Sequence, residues 1–200
     1  MSERYVALLR GINVGQANRV AMADLRSLVT GLGYTEVRTL LNSGNVVFGA
    51  GAGAPTESAA HIEKALADRL GVSARVTVVR ASTLAEIAER NPLLNAARDP
   101  SKLLVAFLAE PDDIARLRPL AEQDWAPEAI ALGVGVAYLW CPNGVSSGGL
   151  WKAVGGVLGD AVTSRNWATV CKLLALAADP GRPDDSSRRR LGGASEPRPH

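Results

Sequence analysis

The sequence predicts an α+β fold of two ferredoxin-like (split βαβ) subdomains, each an antiparallel sheet with helices packed on it. Three observations carry that prediction. Apolar runs bounded by glycine, proline or charge read as strands, stretches with apolar residues three and four apart read as helices, and the order strand, helix, strand, strand occurs twice. The 200 residues suffice for two such units, each with a core. We place the first at residues 1–81, a helix and connector at 82–101, the second at 102–178, and a disordered tail at 179–200.

The first strand is "YVALLR", a continuous apolar run typical of a strand covered on both faces. Met22, Leu25, Leu28, Val29 and Leu32 then recur at helical spacing up to the stop at Gly31 to Gly33. "EVRTLL" and "NVVF" form a strand pair around Asn42-Ser43-Gly44, residues that tolerate positive φ and suit a hairpin turn. Pro55 and Thr56 open a helix carrying Ile62, Ala65, Leu66 and Leu70, and Gly71 ends it before the alternating strand "RVTVVR". The order to this point is βαββαβ.

A short helix follows, opened by a capping-box pattern from Thr83 to Glu86, and "NPLLNAARDPSK" with its two prolines is a connector. "KLLVAFLA" begins the second unit as an apolar strand. "PDDIARL" starts a helix with Pro in its first turn and acids at the positive end of the dipole. "AIALGVGVAYLW" is a hairpin around Gly133 to Gly135. Leu150, Val154, Val157 and Leu158 mark one more helix, and Trp167, Val170, Cys171, Leu174 and Ala177 the last. No self-similarity of sequence accompanies this repeat of element order.

Composition excludes several classes. Apolar residues make up 47% and charged residues 21%, as in ordinary water-soluble domains. No stretch approaches the roughly 18 consecutive apolar residues of a membrane helix. Glu3 and Arg4 directly precede the first strand-like run, so no signal peptide is expected and the expected compartment is the cytoplasm. Two cysteines are too few for a disulfide framework and read as buried thiols without a function. The net charge is +2; the segment from Asp179 holds five Arg against four acids, which leaves the body with 17 basic and 16 acidic residues. So small a net charge does not by itself imply nucleic acid, whose footprint is a concentrated basic face. The tail has too few large apolar residues to offset its ordering entropy. Its Arg188-Arg189-Arg190 cluster reads as solvated.

Two segments hold more polar residues than their turns require. In "YVALLRGINVG", Arg10 ends a strand, Gly11 and Gly15 let the backbone approach a partner closely, and Asn13 and Asn18 supply both donors and acceptors. In "TSRNW", Thr163 or Ser164 would cap a helix whose free N–H groups attract anions, with the forked donor of Arg165 beside them. The structural alternatives are that Asn13 and Asn18 close turns, that Arg10 meets a carboxylate, that Trp167 anchors a core and that Arg165 is a surface residue. "NSGN" at Asn42 to Asn45 is fully explained by a hairpin turn.

"YVALLRGINVG" with Asn18, "MADLRSLVTGLGY", "LNSGNVVF" and "TSRNWATVCKLLALA" together closely resemble the bacterial family known as domain of unknown function 1697, over most of residues 4 to 177. The resemblance implies a ferredoxin-like α+β architecture of two subdomains in a soluble bacterial protein, and no established activity, substrate or cofactor. One departure is evident. Family members commonly carry Ser-Lys-Leu before the penultimate helix, where this chain has Gly148-Gly149-Leu150, so an anion contact from that Lys is lost unless Lys152 replaces it.

Catalytic and cofactor signals are sparse. With only His61 and His200, a His-rich metal site is not expected, and a Cys-His nucleophile would need His61 to meet Cys141 or Cys171. "RGINVG" has neither a Gly-Lys-Ser/Thr ending nor G-x-G-x-x-G spacing, and no Asp-x-Asp or His-Glu metal spacing occurs. We expect no metal and no cofactor. The expected function is a binding module for an anionic ligand (a nucleotide, nucleic acid or small phosphate) held by Arg10, Asn13, Asn18, Arg165 and Asn166. The alternatives are an enzyme of unknown reaction at the same site and a protein-interaction module. A binding module predicts that Arg10, Asn13, Arg165 and Lys172 converge on one concave surface. No membrane partner is expected.

Overall fold

The computed structural model describes residues 3–14, 18–51, 53 and 55–179; Gly15, assigned above to the first loop, and the tail beyond Asp179 lie outside them. In the first half, β1 (Glu3–Arg10), α1 (Met22–Gly31), β2 (Thr35–Leu40), β3 (Asn45–Ala50), α2 (Pro55–Leu70) and β4 (Arg75–Arg80) are followed by α3 (Ala81–Glu89). The second half runs β5 (Leu103–Leu108), a 3-10 segment (Pro111–Leu117) leading into the single turn α4 (Arg118–Ala121), β6 (Ala129–Leu132), β7 (Val136–Trp140), α5 (Leu150–Leu158), β8 (Val162–Asn166) and α6 (Trp167–Ala178).

Each half forms a four-stranded antiparallel sheet, in the orders β2-β3-β1-β4 and β6-β7-β5-β8. Both orders are those of the split βαβ unit, in which the returning strand slots between two strands joined through a helix. The fold class read from the sequence is therefore the fold observed.

Both central strands are buried on both faces, as their unbroken apolar runs require. On one face of the first sheet, Tyr5, Ala7 and Leu9 pack with Leu25, Leu28 and Val29 of α1 and Ile62 and Leu66 of α2. On one face of the second, Leu104, Ala106 and Leu108 pack with Leu150, Val154 and Leu158 of α5. The remaining faces share a third core. There Val6, Leu8 and Val47 meet Val105, Phe107 and Tyr138 together with Leu84 and Ile87 of α3 and Val170 and Leu173 of α6. Helices therefore cover both sides of each sheet rather than one, because α3 and α6 fill the layer between them.

Three local expectations are corrected. The capping box does not form, since α3 begins at Ala81 with Arg80 as its N-cap and no side chain caps it. "PDDIARL", expected to start a helix, is a 3-10 segment, and only the single turn α4 after it is α-helical. Thr163 and Ser164 lie in β8, a strand not expected from the sequence, and the cap of α6 is Asn166, whose Oδ1 accepts from the Thr169 N–H at 2.9 Å. β8 pairs only with β5 and buries just its first two residues, so its polar sequence carries no alternating signal.

Arginines hold α6 at both ends. At its C-terminus, Arg4 donates to the Ala177 carbonyl at 2.8 Å and to the Asp179 carbonyl, and Arg38 donates to the Leu176 and Asp179 carbonyls at 2.6 and 2.7 Å. Two guanidinium groups from the first sheet thus satisfy carbonyls that the helix itself leaves open, at the negative end of its dipole. Just before its N-terminus, Arg165 reaches back to the first half, as described next.

Candidate functional site

β1 ends at Arg10 because Gly11, at φ +75°, turns the chain out of the sheet. The loop that follows is closed by Asn13. Its Nδ2 donates to the Val20 and Asn42 carbonyls at 2.9 and 2.8 Å, and its Oδ1 accepts from the Val20 N–H at 2.8 Å. Asn13 and Asn18 both adopt left-handed backbone, at φ 55° and 51°, which Asn tolerates better than most residues. The Asn13 N–H donates to the Asn18 carbonyl at 3.0 Å, and Asn18 Nδ2 lies 3.4 Å from the Gly11 carbonyl.

The two segments singled out in the sequence do meet, although 150 residues apart in the chain. Arg10 Nη1 donates to the Val162 carbonyl, and its Nη2 lies 3.3 Å from Asp160 Oδ1. Arg165 Nη2 donates to the Leu9 carbonyl at 2.8 Å and the Ser43 carbonyl at 3.1 Å, while Nε donates to Asn45 Oδ1 at 2.5 Å. Its Nη1 turns to Thr163 Oγ1 and the Ser164 carbonyl, at 3.1 and 2.7 Å. Every nitrogen of this guanidinium therefore has a protein acceptor, none of them a carboxylate. Burial without a counter-ion pulls its pKa down to about 10. Arg165 is a clamp between the halves rather than the surface residue of the structural alternative.

The concave surface lies beside this clamp. A cavity of about 640 Å³ is lined by Arg10, Gly11 and Asn18 from the first loop, Glu63 and Ala67 of α2, Ser73 to Arg75 at the start of β4, and Asp160. A second, of about 330 Å³, continues from it and shares Glu63, Arg75 and Asp160, adding Thr56, Ala59 and Ala60 of α2, Thr77, and Ala109, Glu110 and Ala161. Together they form a cleft between α2 with β4 on one wall and the second half on the other. Of the sequence-derived candidates, Arg10 and Asn18 line the cleft; Asn13, Arg165 and Asn166 do not. Lys172 of α6 is exposed and lines neither cavity.

Sequence reasoning missed Arg75. It stands directly opposite Arg10 in the β1–β4 register, so two cations share the end of one strand pair, an arrangement that is unfavourable without partners. Each has one: Asp160 for Arg10, and Glu63 Oε2 for Arg75 at 3.6 Å. The second Glu63 oxygen accepts from the Val76 N–H at 2.7 Å, which fixes the carboxylate against the edge strand. The strand order of a split βαβ unit puts the start of the fourth strand beside the end of the first, so that topology was the signal that could have found Arg75.

The position of the sequence departure is also explained. Glu128 Oε2 accepts from the N–H groups of Gly149 and Leu150, at 3.0 and 3.2 Å, and so caps α5. A Cβ at Gly148 would lie 2.1 Å from Glu128 Oε1, so glycine there leaves room for this carboxylate. Cys141 is fully buried beside it, and burial together with Glu128 pushes its thiol pKa up to about 12. Among the described residues no group of three or more His, Cys, Asp or Glu side chains could hold a metal ion. No described helix is long and apolar enough to cross a membrane.

Residues 2–138 match the model of a family described as "Protein of unknown function (DUF1697)". The match ends within β7, so Gly148-Gly149 and "TSRNW" lie beyond it. No curated protein matches the chain. Among solved structures, the conserved bacterial protein SP0830 from Streptococcus pneumoniae is similar with a TM-score of 0.72 at 24% identity, over 88% of this chain and 99% of that one. A likeness at that identity extends to the fold.

Proposed function

Since the chain belongs to the DUF1697 family, whose description assigns no activity, we propose its function from the geometry of the cleft: it is a binding module for a small anionic ligand. The observation that carries this reading is the cross-strand pair of Arg10 and Arg75 on the wall of the 640 Å³ cavity. Two forked cations at one strand end offer a phosphate or carboxylate charge-assisted bonds from both sides. Asn18, in the same wall, supplies a neutral amide for orientation. Arg165, Asn13 and Asn166 shape the site without touching the ligand, because their polar atoms serve the fold.

Size favours a small molecule over a nucleic acid. The cleft is lined by the guanidinium groups of Arg10 and Arg75 and the carboxylates of Glu63, Glu110 and Asp160, which gives a polyanion no extended cationic track. The test is a titration with inorganic phosphate, a mononucleotide and a single-stranded oligonucleotide, read by calorimetry and thermal shift. Binding of a small anion that weakens with salt, and weakens about tenfold or more in Arg10→Ala and Arg75→Ala, is expected. Equal affinity in both variants, or binding of the oligonucleotide alone, would overturn the reading.

A further inference from the structure

We infer that the anionic group this cleft takes is the carboxylate of a small zwitterion, an amino-carboxylate of the size of an amino acid or short peptide. The inference rests on the function proposed above and names its ligand class. Every charge in the larger cavity is already matched: Arg10 faces Asp160, and Arg75 faces Glu63. A simple anion must take Arg10 from Asp160 and then sit beside the carboxylate it displaced. Asp160 Oδ1 lies 3.3 Å from Arg10 Nη2, so an anion that takes this guanidinium stands beside a carboxylate of like charge. A ligand carrying an ammonium group as well exchanges both partners at once. Its carboxylate replaces Asp160 on the Arg10 guanidinium, and its ammonium takes over Asp160.

The placement of the charges fits this exchange. Asp160 lines both cavities, and beyond it the smaller one adds another carboxylate, Glu110, and no further cation. The lining thus changes along the cleft, from balanced charge at the Arg10 end to an excess of carboxylates toward Glu110. The α2 stripe between its ends, Thr56 to Ala67, spans about 16 Å at the helical rise. That length accepts a short extended peptide as well as a single amino acid. The small side chains Ala59, Ala60 and Ala161 leave room for it.

The experiment titrates the full chain with the twenty free amino acids and pooled di- and tripeptides, then with N-acetylated and C-amidated pools, inorganic phosphate and a mononucleotide. Free zwitterions are expected to bind, with about tenfold loss on acetylation, on amidation, in Arg10→Ala and in Asp160→Asn. In Asp160→Asn, inorganic phosphate should bind more tightly, not less, which separates lost ligand contact from lost fold. If only phosphate or the mononucleotide binds, and the acetylated pool matches the free one, the zwitterion is wrong and the anion site stands. If nothing binds, or Arg10→Ala changes no affinity, both readings fall.

Discussion

Arg165 and Asn45 are joined by a bond of 2.5 Å from Nε to Oδ1, and this bond ties strand β8 of the second sheet to strand β3 of the first. Asn45 is fully buried and uses its amide as well, donating from Nδ2 to the Leu40 carbonyl at 3.0 Å and to Ser43 Oγ at 2.8 Å. The hairpin turn and the junction between the halves are therefore one hydrogen-bonded unit.

Removing the guanidinium should cost stability before it costs binding. Arg165→Ala strands Asn45 Oδ1 and the Leu9 carbonyl, and buried acceptors left open cost about 1–3 kcal/mol each. We expect a loss on the order of 3 kcal/mol, which for a chain of this size lowers the melting temperature by roughly 10 °C. Arg165→Lys should recover little of it, since one ammonium cannot reach acceptors spread around a planar fork. Urea denaturation of the two variants measures both effects.

Gly44→Ala and Gly148→Ala should differ, although both add one methyl group. At Gly44 the φ of +72° is unfavourable for alanine, and the new Cβ would lie 2.7 Å from Leu9 Cβ, an atom fixed by its own backbone. At Gly148 the clash is with the end of the Glu128 side chain, which can swing away and forfeit its cap on α5. The second change should cost about 1 kcal/mol, typical of a lost N-cap, and the first clearly more. Chemical denaturation ranks them, and Glu128→Ala should remove most of the penalty of Gly148→Ala.

The two thiols should separate by reagent access. Cys171 is exposed on α6 and Cys141 is buried, so a thiol reagent should label one cysteine in the native protein and two after unfolding. The raised Cys141 pKa also sets a pH dependence. The folded thiol holds its proton to about pH 12, whereas the ordinary value is 9.0. The unfolded chain therefore binds fewer protons between these limits, and this contribution to stability, complete below pH 9, is lost as pH rises toward 12. Cys141→Ala should flatten that alkaline part of the stability profile.

Tyr138→Phe tests the central core. The Tyr138 hydroxyl donates to the Ile87 carbonyl at 2.8 Å, which satisfies one of the last carbonyls of α3 from a strand of the other half. Its loss should cost about 1–2 kcal/mol without altering the secondary structure. Equilibrium unfolding and circular dichroism together check this.

Much of the fold was legible because β1 and β5 carry continuous apolar runs and α1, α2, α5 and α6 carry regular stripes. β8 was not, because an edge strand of five mostly polar residues has no periodic signal, and its partner β5 lies far away in sequence. The candidate site was half legible. The surplus of polar groups at Arg10 and Arg165 marked a junction that does exist, but the residue type alone could not say that Arg165 would be consumed by carbonyls. Arg75 and Asp160 join Arg10 only through strand register and a turn, which no local pattern records.

The arginine brackets on α6 bear on how the chain is made. The first sheet and its two helices are complete by residue 80, and the layer that covers Val6, Leu8 and Val47 includes a helix ending at Ala178. During synthesis α3 follows the first sheet directly, but the rest of that face stays uncovered until nearly the whole described chain has left the ribosome, an interval in which nascent proteins are prone to aggregate. Arg4 and Arg38 find their carbonyl acceptors on α6 only once that helix arrives.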